Sequence, residues 1–118
     1  MQSQSETPGL LTPWQEQLVR ERLLDDLASD PGLAELACLC RLSRSYFARA
    51  FKQTTGTPPH RWLLQHRISR ARELLERTTR PISDIALECG FADQSHLTRA
   101  FSRMLCATPA AWRRQRAN

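Results

Sequence analysis

Apolar residues recur along the chain at helical spacing, and one stripe of them occurs twice. Each stripe has members at positions i, i+3, i+4 and i+7, which places them on one face of an α-helix. The first stripe consists of Leu33, Leu36, Ala37 and Cys40, and the second consists of Ile82, Ile85, Ala86 and Cys89. No segment of the sequence shows the apolar–polar alternation of a half-buried β-strand, so the pattern predicts an all-α fold.

The two stripes belong to an internal repeat. Leu36 and Ile85 lie 49 residues apart, and past the following turn the offset is 50 because the second copy has one extra turn residue. With that offset Arg49-Ala50-Phe51 matches Arg99-Ala100-Phe101 letter for letter. The other matched pairs are Ala37 with Ala86, Cys40 with Cys89, Phe47 with Leu97, Pro59 with Pro109, and Trp62 with Trp112. This matched order predicts two copies of one folded unit.

In each copy the apolar stripe leads through a short turn into a second helix. Ser43 and Asp93 are suitable N-cap residues for these second helices, because their side-chain oxygens can accept a hydrogen bond from an exposed backbone N–H. The apolar sides of the second helices consist of Phe47, Ala50 and Phe51 in the first copy and of Leu97, Ala100, Phe101 and Met104 in the second. A short helix, a tight turn and a second helix form a helix-turn-helix unit.

Three further helices complete the prediction. Thr12-Pro13-Trp14-Gln15 has the residue types of a capping box with a first-turn proline, so we expect a helix from there to about Ala28. Its predicted inner side consists of Trp14, Leu18, Leu24 and Leu27. A long helix is predicted over residues 59–76, and its apolar side consists of Leu64, Ile68, Ala71 and Leu75. Thr108-Pro109 opens a last short helix.

The sequence thus predicts an all-α fold of seven helices, with two helix-turn-helix subdomains joined by a long linker helix. At 118 residues the chain is long enough for one domain with a core or for two small subdomains. The predicted segments are a disordered tail over residues 1–11, a first subdomain over residues 12–58, the linker helix over residues 59–76 and a second subdomain over residues 77–118.

Charge is distributed unevenly. The chain has a formal net charge of +5, yet residues 1–36 hold seven acids against two arginines. Residues 37–118 hold fifteen Lys or Arg residues against five acids, a net charge of +10. A surface of one sign attracts polyanions, because each phosphate that it neutralises releases condensed counterions. Charge alone leaves a solvated basic face equally open.

The second helix of each unit has a polar, arginine-bearing side opposite its apolar positions. In the first unit that side consists of Ser45, Ala48, Arg49 and Lys52. In the second unit it consists of Ser95, Thr98, Arg99 and Ser102, flanked by Gln94 and His96. A helix with such a side fits the major groove of B-DNA, which is about 12 Å wide, and no bulky apolar residue blocks the approach. The pattern therefore predicts double-stranded DNA as the partner.

Individual roles follow from side-chain chemistry. Arg49 and Arg99 can each donate two hydrogen bonds to guanine O6 and N7, and Gln94 can pair with adenine. Ala48 and Thr98 can offer a methyl group to the thymine methyl. The residues placed for phosphate contact, which positions a protein without reading sequence, are Arg44, Lys52 and Arg103. For each arginine a solvated surface position is the alternative, although Arg49 and Arg99 occupy equivalent places in both copies.

The cysteines do not follow a metal-binding pattern. The four are Cys38, Cys40, Cys89 and Cys106. None forms a C-x-x-C pair, and residues two apart, such as Cys38 and Cys40, point in different directions on a helix. We interpret all four as reduced thiols that act as small buried hydrophobes. His96 has no partner at a useful spacing, so we predict no metal, no cofactor and no catalytic site.

The sequence gives no sign of membrane insertion or export. No apolar run approaches the roughly 18 residues that a membrane-spanning helix needs. The first twelve residues lack the basic start and the apolar stretch of a secretion signal. We therefore expect a cytoplasmic location and no membrane partner.

The run from Ile85 to Phe101, IALECGFADQSHLTRAF, closely resembles the signature of AraC/XylS-type transcription regulators. Residues 67–75, RISRARELL, resemble the linker helix of that family. The residues that resemble its first helix-turn-helix are Leu36, Ala37, Ser43, Phe47, Arg49 and Phe51. The resemblance covers about residues 13–116.

The resemblance implies a seven-helix domain whose two reading helices enter successive major grooves on one side of the duplex, about 34 Å apart. By family position, the groove residues are Ser45, Ala48 and Arg49 in the first unit and Gln94, Ser95, His96, Thr98 and Arg99 in the second. Family members commonly recruit RNA polymerase as activators, and some repress. A small-molecule effector is implied only with a separate sensor domain, so the chain is either a short regulator or a fragment of a longer effector-sensing one.

Three positions depart from the family pattern. Arg41 stands where the family often has Gly, as Gly90 does in the second copy. If that position requires φ > 0, Arg41 is strained or it donates to a phosphate. Cys106 stands where Gly is usual and where Gly56 sits in the first copy. Pro58 replaces the usual Ser cap before the linker helix.

Two other functional classes fit the sequence less well. A helical module for protein or RNA would usually show aromatic or aliphatic anchors, whereas the sides after both turns are polar and carry arginine. Some enzymes that repair alkyl damage carry a similar helix-turn-helix beside a reactive cysteine. Here no cysteine has an activating neighbour and seven helices leave no cleft domain, so we predict that the chain is not an enzyme.

Overall fold

The computed structural model describes residues 9–116, which form seven α-helices and no β-strand. In order, the helices are α1 Pro13–Asp25, α2 Leu33–Leu39, α3 Arg44–Thr55, α4 Pro59–Arg77, α5 Ile82–Glu88, α6 Gln94–Leu105 and α7 Pro109–Arg116. The predicted all-α, seven-helix fold is therefore confirmed for this range. None of these helices combines the length and the apolar character needed to cross a membrane.

The segment that precedes α1 packs against the first half of the chain. The Leu11 side chain is buried, and its backbone N–H donates to Thr54 Oγ1 at 2.9 Å. Gly9 N–H donates to the hydroxyl of Tyr46 at 3.2 Å. The sequence predicted a disordered tail through residue 11, but Leu11 is ordered against the core. Burial of its apolar side chain favours this position. Residues 1–8 of that tail lie outside the described residues.

Helix α1 begins as predicted and ends earlier. Gln15 N–H donates to Thr12 Oγ1 at 3.3 Å, and Thr12 N–H donates to Gln15 Oε1 at 2.9 Å, so the capping box is present. The helix ends at Asp25 rather than near Ala28. The cause is Asp26, which takes an extended conformation while its carboxylate accepts the N–H of Ala28 at 3.0 Å.

The inner side predicted for α1 is wrong. Val19 and Leu23 are the buried residues of this helix. The predicted inner residues that are instead exposed are Trp14, Leu18 and Leu24. Leu27 lies beyond the helix and is partly buried against the core. Apolar residues occur on several sides of α1, so helical spacing alone did not identify the side that packs.

Two compact units make up the described chain; the first ends at Leu63 and the second begins at Leu64. The first core lies between α1, α2, α3 and the start of α4. Its buried residues are Leu11, Val19, Leu23, Leu36, Ala37, Cys40, Phe47, Ala50, Phe51, Trp62 and Leu63. Leu33, the first member of the predicted α2 stripe, is 39% exposed and lies at the edge of this core.

The second core lies between the rest of α4 and helices α5, α6 and α7. Its buried residues are Ile68, Ala71, Leu74, Leu75, Ile85, Ala86, Cys89, Phe91, Leu97 and Phe101. Leu64 and Ile82, which belong to the predicted stripes, are partly buried against it. The predicted apolar sides of α4, α5 and α6 are therefore the sides that pack.

The internal repeat is also a repeat of packing. In the first unit the rings of Phe51 and Trp62 meet edge to face, with centroids 5.8 Å apart and an interplanar angle of 89°. In the second unit Phe101 and Trp112 meet in the same way, at 5.7 Å and 81°. In each unit a tryptophan from the following helix thus supports the second helix of the helix-turn-helix from its inner side.

Candidate nucleic-acid interface

The turn between α2 and α3 is closed by a Schellman motif. Leu42 N–H donates to the carbonyl of Ala37 at 3.0 Å, and Arg41 N–H donates to that of Cys38 at 3.0 Å. This pair of bonds satisfies the last carbonyls of α2 and requires a left-handed residue between them. Arg41 supplies that conformation with φ 60°.

The turn between α5 and α6 repeats the motif with glycine at the left-handed position. Phe91 N–H donates to the carbonyl of Ala86 at 2.9 Å, and Gly90 N–H donates to that of Leu87 at 3.2 Å. Gly90 has φ 95°. A residue with a Cβ loses roughly 1–2 kcal/mol in this conformation. Arg41, which stands where the family often has glycine, is therefore a position of backbone strain. The second unit avoids this strain because it has Gly90 there.

N-caps fix where α3 and α6 begin. Ser43 Oγ accepts the N–H of Tyr46 at 3.1 Å, and Asp93 Oδ1 accepts the N–H of His96 at 2.8 Å. Both caps are those predicted from the sequence. The caps therefore fix which residues lie in the first turn of each helix.

The outer side of α3 carries all five candidate residues of the first unit. Ala48 is half-buried, and the exposed members are Arg44, Ser45, Arg49 and Lys52. The opposite side consists of the buried residues Phe47, Ala50 and Phe51. The helix is therefore anchored by its aromatic side and presents a basic, otherwise small-residue side to solvent.

The outer side of α6 carries the six candidates of the second unit. Thr98 is half-buried, and the exposed members are Gln94, Ser95, His96, Arg99 and Arg103. One shallow depression is lined by Gln94, Ser95, Thr98 and Arg99. Ser102, which the sequence places on the same side, is half-buried, and its hydroxyl is buried without a partner among the described residues.

The cations of these two outer sides differ from many other arginines of the molecule. Ion pairs hold Arg20 to Glu16 at 2.9 Å, Arg22 to Glu35 at 2.6 Å, and Arg70 to Glu73 at 2.6 Å, and another joins Arg80 to Glu88. The exposed cations of α3 and α6 that make no ion pair within residues 9–116 are Arg44, Arg49, Lys52, Arg99 and Arg103. Their charge is not neutralised within that range and can attract an anion.

His96 contacts the turn that precedes its own helix. Its Nδ1 accepts the N–H of Ala92 at 3.2 Å, and its ring meets that of Phe91 edge to face at 5.2 Å. An accepting Nδ1 carries no proton, so Nε2 is the donor of the neutral ring. His96 therefore supports the turn in addition to lying on the exposed side predicted for it.

One residue that positions the second unit was missed from the sequence. The Arg113 guanidinium, on α7, donates to the carbonyls of Leu75 at 3.2 Å, Thr78 at 3.1 Å and Arg80 at 2.6 Å. These bonds tie α7 to the end of α4 and to the loop before α5. No sequence signal points to this role, because all three acceptors are backbone carbonyls that any residue carries.

The cysteines divide into two pairs. Cys40 and Cys89 are fully buried, as predicted, whereas Cys38 and Cys106 are exposed, so the expectation that all four are buried is wrong. Cys38 lies on the solvent side of α2, and Cys106 lies at the left-handed end of α6 with φ 60°.

Burial raises the pKa of the Cys40 thiol. Burial, with a smaller contribution from the Glu88 carboxylate, raises the pKa of Cys89 to about 11. Across residues 9–116 no three His, Cys, Asp or Glu side chains lie together in a way that could hold a metal ion.

Comparison with known proteins gives consistent matches. A family model described as a helix-turn-helix domain matches residues 36–115. The activator RhaR of Klebsiella pneumoniae, described as an HTH-type transcriptional activator, is 36% identical over 104 residues, which cover 81% of this chain and 37% of that protein. The probable transcriptional regulator LumQ of Photobacterium leiognathi is 33% identical over 81 residues, which cover 69% of this chain and 33% of that protein.

Solved structures agree in fold. The DNA-binding domain of the global transcriptional factor AdpA, crystallised with a target DNA, is 32% identical with a TM-score of 0.78, and the match covers 84% of this chain and 89% of that one. A transcriptional regulator from Chromobacterium violaceum, described among AraC-type DNA-binding domain-containing proteins, is 30% identical with a TM-score of 0.79 and coverage of 88% and 93%.

The chain spans about a third of the length of the curated relatives that it matches. The matched part contains both helix-turn-helix units, and the family is one of DNA-binding transcription regulators rather than of enzymes. The chain therefore belongs to the AraC-type helix-turn-helix family of transcription regulators, as a DNA-binding domain of that family.

Proposed function

We propose that this chain reads a specific double-stranded DNA site by placing the outer sides of α3 and α6 in the major groove. One observation carries the proposal. Both outer sides are exposed, occupy equivalent places in the two helix-turn-helix units, and bear cations that no carboxylate within residues 9–116 neutralises. Such cations gain free energy from releasing the counterions of phosphate groups.

The base-reading roles are assigned by chemistry. Arg49 and Arg99 each donate two hydrogen bonds to a guanine, because a guanidinium matches the spacing of O6 and N7. Gln94, the first residue of α6, pairs with an adenine. The half-buried Ala48 and Thr98 face thymine methyl groups, since their small side chains allow the helix backbone to approach the bases.

The remaining candidates position the protein. Arg44, Lys52 and Arg103 lie at the ends of the two outer sides, and they contact phosphates there. The exposed Ser45, Ser95 and His96 supply neutral hydrogen-bonding groups next to the reading arginines. These contacts set affinity and orientation more than sequence preference.

At the level of the whole protein we infer transcription regulation, with activation through contact to RNA polymerase as the favoured mode. Two of the relatives, RhaR and RhaS, are described as transcriptional activators. The matched relatives are about three times as long as the part that this chain covers, which leaves room for a further domain that senses an effector. We also infer a cytoplasmic location, because the proposed DNA target would be found there.

Selection of duplex DNA from a random pool at physiological salt tests the proposal. We expect an enriched site with two informative blocks, one for each reading helix, and specific binding at least about 1,000-fold tighter than to random duplex. A double variant, Arg49→Ala with Arg99→Ala, is the matched control and should lose both blocks while its circular dichroism stays helical.

Two outcomes would contradict the proposal. Enrichment of single-stranded RNA over duplex DNA in a parallel selection would favour an RNA-binding module. Recovery of the same two blocks by the double variant would show that other residues read the bases.

A further inference from the structure

The first unit contains a half-enclosed apolar pocket beside the proposed reading side of α3. Its volume is about 380 Å³, and it lies between the loop after α1, the outer edge of α3 and the start of α4. Four leucines and three prolines form most of its wall. A volume of this size lies within the range of roughly 300–1,000 Å³ that is usual for small-molecule sites.

The wall of this pocket is built from restrained residues. Leu23, Leu36 and Leu63 belong to the buried core of the first unit. Pro31, Pro58 and Pro59 have φ fixed by their rings, which limits backbone rotation at the rim. Leu33 also lines the pocket and is 39% exposed, which is unusual for a leucine at the start of a buried stripe. The pocket is therefore largely preformed.

The polar groups of the pocket are few. Asp30 and His60 are exposed and line its mouth, and no Lys or Arg side chain lines it. None of the ion pairs within residues 9–116 involves Asp30. A lone carboxylate beside an apolar wall favours a cation over an anion, because an anion would be repelled as it lost its hydration.

We propose that this pocket is a binding site for a small amphiphilic amine. The apolar body of the amine lies against the leucines and prolines, and its ammonium group pairs with Asp30. Ala48 lines the pocket and also belongs to the outer side of α3, so the bound amine lies directly beside the reading helix. The proposal concerns occupancy of the pocket and holds whether or not the base-reading roles are correct.

Titration of ¹⁵N-labelled protein with 2-phenylethylamine, followed by NMR, tests the site. We expect saturable shifts of the amides of Leu33, Ala48 and Leu63 with a dissociation constant on the order of 1 mM or below. The neutral isostere 2-phenylethanol should bind more weakly, and phenylacetate should bind weakest.

Two variants and one control sharpen the result. Asp30→Asn should weaken the amine by about two- to fivefold and leave the alcohol unchanged, as expected for an exposed ion pair. Gly32→Phe should weaken both by on the order of tenfold or more by filling the space. Gly32 has φ −72°, and an added Cβ meets no atom within 4 Å, so the backbone tolerates the change. Asp25→Asn removes the same charge from the exposed end of α1 and should have no effect.

Several outcomes would overturn the proposal. One is the absence of saturable shifts with all three probes. Another is equal affinity for amine and alcohol, or binding that survives Gly32→Phe. Sedimentation of the unliganded chain as a dimer that Gly32→Phe dissociates would assign the pocket to a second copy instead.

Discussion

Arg41 adopts the left-handed backbone conformation that Gly90 adopts at the same step of the second turn, with φ 60° and 95° respectively. At the ends of the reading helices the first unit has the glycine and the second unit has the other residue. There Gly56 has φ 87° in the first unit, and Cys106 has φ 60° in the second. Each unit thus has a glycine at one of its two left-handed positions and a strained residue at the other.

Replacing the strained residue at the end of α6 should stabilise the protein. We expect Cys106→Gly to raise the free energy of unfolding by about 0.5–1.5 kcal/mol, because glycine tolerates φ 60° without a Cβ clash. Urea unfolding followed by circular dichroism measures the change. Cys38→Gly is the matched control: Cys38 is also exposed but lies inside α2, so the same substitution should destabilise by roughly 0.5 kcal/mol. A loss of stability in both variants would show that the conformation of Cys106 carries no strain.

Removing a reading arginine should affect one block of the DNA site. We expect Arg99→Ala to weaken binding by about 1–3 kcal/mol and to relax one base position in the block of α6, because it removes two hydrogen bonds to a guanine. Arg49→Ala should do the same in the block of α3. Quantitative binding to a panel of single-base variants of the selected site measures both effects.

Lys52→Ala provides the contrasting case. Loss of a phosphate contact should weaken all sequences alike and reduce the slope of log K against log salt by about 1. An Arg99→Ala variant with unchanged affinity and motif would remove that arginine from the reading surface.

Arg113 should contribute more to stability than its neighbour. We expect Arg113→Ala to lower the free energy of unfolding by about 2 kcal/mol, because three carbonyls lose a charged donor. Arg113→Lys should retain only part of the stability that Arg113→Ala loses, since an ammonium cannot reproduce the forked geometry of the guanidinium. Arg114→Ala, at the next and exposed position, should change stability by less than about 0.5 kcal/mol. Thermal and urea unfolding measure all three, and equal losses at both positions would argue against the role of Arg113.

Alkaline pH should destabilise the protein through Cys89. Folding raises the pKa of this thiol from 9.0 to about 11, so above pH 9 the unfolded chain loses a proton that the folded chain keeps. The free energy of unfolding should therefore fall between pH 9 and pH 11, by at most roughly 1.4 kcal/mol per pH unit from this group, and stay unaffected by it below pH 8. Cys40 acts in the same direction.

Cys89→Ala isolates this contribution. The variant should start at lower stability because of the lost side-chain volume, yet decline less steeply than the parent from pH 9 to pH 10. Urea unfolding at each pH gives both slopes. Parallel slopes would show that Cys89 does not titrate differently in the folded state.

The strongly periodic helices and their caps could be predicted from the sequence because the responsible residues are neighbours in the chain. Ser43 and Asp93 cap helices that begin one residue later, and the stripes of α2 and α5 lead directly into their turns. The packing of α1 could not be predicted from the sequence, since Trp14 and Val19 both fit a helical pattern. Only the tertiary core favours burial of Val19. Its early end depends on the side chain of Asp26, which competes with the helix for the N–H of Ala28.

The outer sides of α3 and α6 could be located from the sequence because apolar spacing defines the opposite side. The sequence could not predict which cations are unpaired, because an ion pair such as Arg22 with Glu35 joins residues that only the fold brings together. The exposure of Cys38 follows the same logic: it is two residues from the buried Cys40 and so faces the other way on α2.

Each unit is stabilised from its own end of the chain by a different side chain. On the first, Gln15 of α1 donates through Nε2 to the carbonyl of Cys40 at 2.9 Å, at the end of α2. On the second, Arg113 of α7 bonds the loop before α5. Helix α1 precedes the duplicated segment, whereas α7 corresponds to the start of α4, so these bonds come from different helices at opposite ends of the polypeptide. An engineered tandem array of these units would need to include α1 with the first unit and α7 with the second. Exchanging one helix-turn-helix for the other would remove the bonds that Gln15 and Arg113 make.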